Sequence, residues 1–184
     1  MGEQGGLFRA ANLPDEDAVF GPNVLDSLVH ADRLTIRVVG TPAPQGSKRA
    51  FVNKQTGRAQ VVESSKKVKP WREAVKYAAL EERRRPGRPA HETIDGPVEL
   101  TISFLLPRPK GHYGTGRNAG LVKESAPARP AVKPDLDKLV RSTCDALKEA
   151  GVYADDNRVV TLSATKNFAE AGVNFGAVIT VGRV

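Results

Sequence analysis

From residue 33 onward, several short segments show the regular spacing of hydrophobic residues that is typical of strands and helices. Alternation places Leu34, Ile36 and Val38 on one face of a strand predicted at residues 33–39. A second strand is predicted at residues 97–106, where every second residue is bulky and apolar. This pattern favours a central position for the second strand in a β-sheet.

Apolar residues that recur at three- and four-residue steps predict two helices. The first covers residues 68–85 and ends before the helix-breaking pair Pro86-Gly87. The second covers residues 135–150 and ends at Gly151, a residue type that commonly terminates helices. Its apolar stripe consists of Leu136, Leu139, Val140, Thr143, Ala146, Leu147 and Ala150.

Four further β-prone segments complete the pattern. Residues 48–52 and 58–62 flank a turn that contains Gly57, which indicates a β-hairpin. Residues 158–168 and 173–181 are predicted as two strands near the end of the sequence. Together these elements predict an α+β protein with a small mixed β-sheet of about four to five strands and two principal helices.

Two segments show no such periodicity. Residues 107–133 are rich in Gly, Pro, Lys and Arg, and their length predicts a mobile basic loop with a functional role. Residues 1–32 contain six acidic residues and one basic residue, which indicates a loosely attached, poorly ordered acidic tail or arm. We therefore expect one principal domain at residues 33–184.

The charge of the chain points to a polyanionic partner. The whole chain carries a net charge of +7, and the predicted domain is more basic still because acidic residues concentrate in the arm. Nucleic acid is the most common polyanion that such a domain binds. We expect a cytoplasmic protein, because Cys144 is the single cysteine and neither a signal peptide nor a membrane-spanning apolar run is evident.

Four aspartates flank the second predicted helix. Asp135 and Asp137 lie at its start, and Asp155 and Asp156 follow its end. Two carboxylates as close as the first pair repel each other unless a cation lies between them, and hard oxygen ligands favour a divalent metal such as Mg²⁺. Structural roles remain open, since aspartate is also common as a helix N-cap, in a first helical turn and in other turns.

Arg141 lies four residues after Asp137 and four residues before Asp145. This spacing is typical of ion pairs along an exposed helix face. It would equally place a fixed positive charge one turn from the first two carboxylates, where it could stabilise charge that develops on a phosphate. The sequence alone leaves both roles open.

The segments around these residues resemble the RusA family of Holliday-junction resolvases, the crossover junction endodeoxyribonucleases. The resemblance depends on the order and spacing of Lys133–Arg141, Asp145–Leu147 and Gly151–Val160. A weaker similarity extends to Pro44–Phe51, so the resemblance covers roughly residues 33–184.

The resemblance implies a Mg²⁺-dependent endonuclease, for which Mn²⁺ can substitute. It also implies a homodimer that resolves four-way junctions by paired symmetric nicks in DNA recombination and repair. Asp135, Asp137 and Asp156 would be the catalytic metal ligands, with Asp155 supporting Asp156, and Arg141 would occupy a further catalytic position.

Two positions depart from the family pattern. The family usually has Asn where this chain has Lys138, and it usually has a catalytic Lys where this chain has Arg141. Arginine keeps the positive charge and binds phosphate, but it cannot readily donate a proton.

Basic residues outside the acidic segments are the candidates for DNA binding, because phosphate contacts position a duplex without reading its sequence. They are Lys48, Arg49, Lys66, Lys67, Lys69, Arg108, Lys110, Arg117, Lys123, Arg129, Lys133 and Lys138. For any single one of them, an ordinary solvated surface charge is the alternative. Two other functions stay open, namely a protein that binds junctions or branched DNA without cutting them and a nuclease for flaps or forks.

Overall fold

A computed structural model of the chain describes residues 33–46, 48–52, 55–57, 59–63, 66–86, 92–170 and 172–184. The predicted acidic arm at residues 1–32 lies outside the described residues. The regular elements of the described part are β1 (Arg33–Val39), β2 (Lys48–Val52), β3 (Ala59–Glu63), α1 (Val68–Arg83), β4 (Val98–Leu106), α2 (Leu136–Glu149), β5 (Val159–Phe168) and β6 (Gly176–Arg183). None of the helices described is long and apolar enough to cross a membrane.

Four strands form the main sheet in the order β1-β6-β4-β5. β6 runs antiparallel to both β1 and β4, whereas β4 and β5 are parallel. The carboxyl ends of β1, β4 and β5 therefore point in the same direction. β2 and β3 pair with each other in a separate antiparallel hairpin. The α+β fold, the hairpin and the central position of β4 are confirmed.

One face of the sheet carries the hydrophobic core. The alternate residues of β1 and β4 that the sequence places on one face are buried, from Leu34 and Ile36 to Phe104. Both helices contribute to this core, and Trp71 of α1 is buried within it. The indole N–H of Trp71 donates a hydrogen bond to Thr143 Oγ1 of α2 at 3.2 Å, which joins the two helices.

Ser142 is the unexpected member of the buried face of α2. Its side chain is 0% exposed, and its hydroxyl lies 2.7 Å from the backbone oxygen of Ala43. The backbone N–H of Gln45 also donates to Lys138 O at 3.0 Å. A buried hydroxyl is tolerated when it has a hydrogen-bond partner, and here that bond fixes the segment after β1 against the start of α2.

The predicted last strand begins too early. The prediction starts at residue 173, whereas β6 starts at Gly176. The pairing of β6 with β1 ends at Val39 and Gly176, because the chain turns at Gly40, where φ is +151°. The backbone N–H of Gly40 still donates to Phe175 O at 3.1 Å, but the regular strand pairing stops at this turn.

Candidate active site

Asp135 occupies the N-cap position of α2 but does not cap the helix with its side chain. A typical N-cap aspartate accepts a hydrogen bond from a backbone N–H of the first turn. Instead, Lys138 Nζ donates to Asp135 Oδ2 at 2.7 Å. The N-cap role considered for this residue therefore lacks the hydrogen bond that would define it, and its carboxylate remains on the surface.

Positive charges keep Asp135 ionised. The hydrogen bond from Lys138, followed by the charge of Lys138, holds the pKa of Asp135 below its usual value, and Lys133 and Lys166 act in the same direction. A carboxylate must be deprotonated to bind a metal ion. The carboxylate of Asp135 is therefore deprotonated, as metal binding requires, throughout the neutral pH range.

Asp137 lies in the first turn of α2 and is exposed. Within the part of the chain that the structure describes, no hydrogen bond or ion pair engages its carboxylate. Asp137 and Asp135 are two residues apart and together present carboxylate oxygens at the start of α2.

Arg141 is exposed and does not form the ion pairs that its spacing allows. Among the described residues, neither Asp137 nor Asp145 pairs with it. Asp145 instead lies 3.7 Å from Arg72 Nη1 of α1. The guanidinium of Arg141 is therefore available for an external anion one helical turn from Asp137.

Asp155 has a structural role. It precedes a short 3₁₀ turn, Asp156–Arg158, and its Oδ1 accepts a hydrogen bond from the backbone N–H of Asn157 at 3.2 Å. Its Oδ2 accepts a second bond from Lys148 Nζ at 2.6 Å. These two bonds hold the pKa of Asp155 below its usual value, and the bond from Lys148 has the larger effect.

Asp156 lies in a different environment. Burial, and after it the charge of Asp145, raises the pKa of Asp156 above its usual value. Its Oδ1 is buried and has no hydrogen-bond partner in the described part of the chain. A buried acceptor without a partner is uncommon, and this one lies beside the second half of α2.

The three predicted metal ligands do not form one cluster within a single chain. No group of three or more His, Cys, Asp or Glu side chains is arranged to hold a metal ion among the described residues. Asp145, whose charge acts on Asp156, is eight residues beyond Asp137, which corresponds to about 12 Å along a helix axis. The α2 carboxylate whose charge acts on Asp156 is thus that of Asp145.

Most of the predicted DNA-binding residues are exposed. Lys66, Lys67 and Lys69 surround the start of α1, and Lys110, Arg117, Arg129 and Lys133 lie on the long segment between β4 and α2. Lys48 and Arg49 belong to β2, and their side chains lie outside what the structure describes.

Two predicted DNA-binding residues in the long segment instead hold it together. Arg108 donates to Pro127 O at 3.0 Å, and Lys123 Nζ donates to Gly111 O at 2.9 Å. Backbone bonds add to this order, such as that from Gly114 N to Leu121 O at 2.9 Å. Residues 107–133 are thus folded on themselves in a way that their composition did not indicate.

Lys166 was not identified from the sequence. Its Nζ donates hydrogen bonds to Val132 O at 2.7 Å and to Pro134 O at 2.8 Å. It thereby fixes the segment that leads into Asp135, and its charge acts on that carboxylate. The residue lies in β5, far along the sequence from Asp135, so this contact arises from the fold and not from proximity in sequence.

Comparison with known proteins agrees with the motif resemblance. Residues 41–179 match the family described as endodeoxyribonuclease RusA. The chain is also 30% identical over 139 residues to the uncharacterized protein YqaN of Bacillus subtilis (strain 168), and this alignment covers 76% of the chain and 90% of the relative. The family match includes both helices and all of the aspartates discussed above. This chain therefore belongs to the RusA endodeoxyribonuclease family, whose members are hydrolases that cut DNA internally.

Proposed function

We propose that this protein is a Mg²⁺-dependent endonuclease that resolves four-way DNA junctions by paired symmetric nicks. Membership of the RusA family supports DNA cleavage. The observation that carries the proposal is the carboxylate pair at the start of α2, where Asp135 is held ionised and Asp137 is exposed and unpaired among the described residues.

The donor set at this position suits a hard divalent cation. Mg²⁺ in proteins is commonly held by one or two carboxylates together with water and substrate phosphates, rather than by an all-protein cage. Asp135 and Asp137 would therefore hold Mg²⁺, or Mn²⁺, against a DNA phosphate. The chemistry that the bound ion supplies is activation of a water nucleophile and neutralisation of charge on the scissile phosphate.

The residues around the pair would position the DNA strand. Arg141, whose guanidinium has no ion-pair partner in the described part of the chain, would bind a phosphate oxygen one turn from Asp137. Lys133 and the lysines before α1 would hold neighbouring phosphates. Asp156 remains the predicted third ligand, and replacement of Asp156 by Asn tests that assignment through metal affinity.

A homodimer would supply the two-fold arrangement that paired nicks require. β5 is an edge strand of the main sheet, and it exposes Val160 by 60% and Leu162 by 49%. An open edge with apolar side chains is a ready surface for strand pairing between two chains. We propose that two copies pair through β5.

A protein that binds junctions without cutting them is the second candidate. The ammonium of Lys138 forms an ion pair with Asp135 Oδ2. The guanidinium of Arg141 cannot readily relay a proton. Both departures from the family pattern weaken the case for efficient cleavage. A nuclease for flaps or forks would use the same carboxylates, so only its substrates distinguish it.

A substrate comparison tests the proposal. End-labelled four-way junction, flap, fork and linear duplex of shared sequence would be incubated with the protein in Mg²⁺, in Mn²⁺ and in EDTA. The proposal predicts paired nicks at symmetric positions in the junction, slower cutting of the flap and fork, and none in EDTA. Preferred cutting of the flap would favour the flap nuclease, and tight binding without cutting in either metal would favour the binding protein.

A further inference from the structure

An apolar pocket of about 280 Å³ lies next to the candidate active site. It is formed where the chain leaves the carboxyl ends of β1, β4 and β5 and where it enters both helices. Ligands of open α/β sheets commonly bind at this edge of the sheet. The residues around it are Thr41, Pro42, Ala43, Pro44, Lys67, Leu106, Pro107, Pro109, Pro130, Val132, Lys133, Pro134 and Phe168.

The wall of the pocket consists largely of proline rings and other apolar side chains. Six of its residues are prolines, whose rings have little freedom to move. Phe168 is only 9% exposed, because the guanidinium of Arg108 lies 4.4 Å from its ring centre and the ring of His112 packs edge-on at 5.3 Å. A pocket near the lower end of the usual range for ligand sites, about 300–1,000 Å³, suits one small planar group.

Positive charge lies beside this apolar wall. Lys67 and Lys133 both line the pocket and are exposed. Lys67 immediately precedes α1, and Lys133 lies two residues before Asp135. Lysine side chains beside apolar surface suit a ligand whose planar part is uncharged and whose flanking groups are phosphates.

We propose that this pocket receives one unpaired nucleobase of the DNA strand that is cut. Lys67 and Lys133 hold the phosphates on either side of that nucleotide, and the scissile phosphate then lies at Asp135 and Asp137. The proline rings that line the pocket contact the base face in place of the neighbouring base pairs. This inference depends on the proposed function, because it names the part of the substrate that the site recognises.

A base pocket at this position explains selectivity for branched DNA. Removal of a base from an intact duplex requires the loss of its pairing and stacking, and this requirement is smallest where pairing is already interrupted. The base pairs at the branch point of a junction satisfy that condition, whereas those of a linear duplex do not. The size of the pocket also predicts that the base at the cut site affects the cleavage rate.

The test uses 2-aminopurine, a base analogue that fluoresces strongly only when it is unstacked. A four-way junction would carry it at the nucleotide next to the cut site, and wild-type protein would be added in EDTA so that the strand stays intact. We expect fluorescence to rise on binding. In Val132→Phe, a variant at a residue that is 66% exposed on the pocket rim, the added ring should occupy the pocket and suppress the rise.

Cleavage in Mg²⁺ supplies the second measurement. We expect Val132→Phe to cut the junction about ten- to a hundredfold more slowly, because a small misplacement of the scissile phosphate suffices for such a loss, while junction affinity stays near the wild-type value. The matched control is Val184→Phe, which adds the same ring at an exposed valine after β6 and should match the wild type in both measurements.

The outcomes separate the two proposals. A wild-type protein that cuts the junction while 2-aminopurine stays quenched, or a Val132→Phe protein that behaves like Val184→Phe, would overturn the base pocket and leave the nuclease intact. A fluorescence rise that Val132→Phe abolishes, in a protein that cuts no branched DNA, would support the pocket and refute the proposed function.

Discussion

Asp155 and Asp156 are neighbours in sequence, yet their surroundings shift their pKa values in opposite directions. The raised pKa of Asp156 means that the folded protein binds its proton more tightly than the unfolded chain, so ionisation at neutral pH destabilises the fold. The lowered pKa of Asp155 means that ionisation of this carboxylate at neutral pH stabilises the fold. We expect Asp156→Asn to raise the melting temperature at neutral pH and Asp155→Asn to lower it.

Both differences should shrink as the pH falls. The effect of Asp156 should fade above and down to the ordinary pKa of aspartate, whereas that of Asp155 should persist until the pH is below that value. Calorimetry of the two variants in EDTA provides the measurement, and each variant serves as the control for the other. Shifts of the same sign at neutral pH would contradict the different environments assigned to the two carboxylates.

Lys138 is the departure from the family pattern that acts most directly on a predicted ligand. Its ammonium lies 2.7 Å from Asp135 Oδ2 and competes with a metal ion for that oxygen. We expect Lys138→Asn to bind Mn²⁺ about tenfold more tightly in titration calorimetry, the size of change usual for groups next to metal ligands. Lys76→Asn, at an ion pair with Glu73 and Glu149, is the control, and equal affinities in both variants would rule out the competition.

Arg141→Lys restores the lysine that the RusA family usually has at this position. A lysine keeps the charge one turn from Asp137 and adds a proton that it can give up. We therefore expect the variant to cut junctions at least as fast as the wild type, whereas Arg141→Ala should lose about two orders of magnitude, as when a charge-stabilising donor is removed. Single-turnover cleavage rates test this, and an unchanged rate in Arg141→Ala would exclude a catalytic role.

At the scale of elements, the hydrophobic pattern predicts most of this fold because each helix and strand buries one face. The stripe on α2 and the alternation in β1 and β4 are read directly from neighbouring residues. The order of the strands could not be derived in this way, since β6 lies between β1 and β4 through long-range pairing. The buried Ser142 was missed for the same reason, as its partner is the distant Ala43.

The edge strand β5 is the surface through which two copies are proposed to pair. If two copies pair there, Leu162→Lys places a charge in the interface, and the dimer should dissociate at least about tenfold more readily in analytical ultracentrifugation. Val39→Lys provides a matched change at an exposed residue of β1, the opposite edge. If only Val39→Lys disrupted the dimer, the interface would lie at β1, and pairing through β5 would be refuted.

For the molecule as a whole, the sequence identifies the acidic residues of the candidate site but not their arrangement. The motif supplies Asp135, Asp137 and Asp156, whereas the length of α2 places the last of these beside Asp145. Lys166 and the proline-lined pocket depend on contacts between segments that are distant in sequence. Short-range patterns therefore give the chemistry of the site, and the fold gives its geometry.

If the carboxylates at the start of α2 are needed to cut branched DNA, removal of one of them should abolish cleavage without loss of binding. A labelled four-way junction would be incubated in Mg²⁺ with wild-type protein and with Asp137→Asn, with junction binding measured in parallel. We expect paired nicks by the wild type and a loss of about a thousandfold or more in Asp137→Asn, with binding retained. Equal cleavage by the two proteins would contradict it, because Asp137 would then have no part in the reaction.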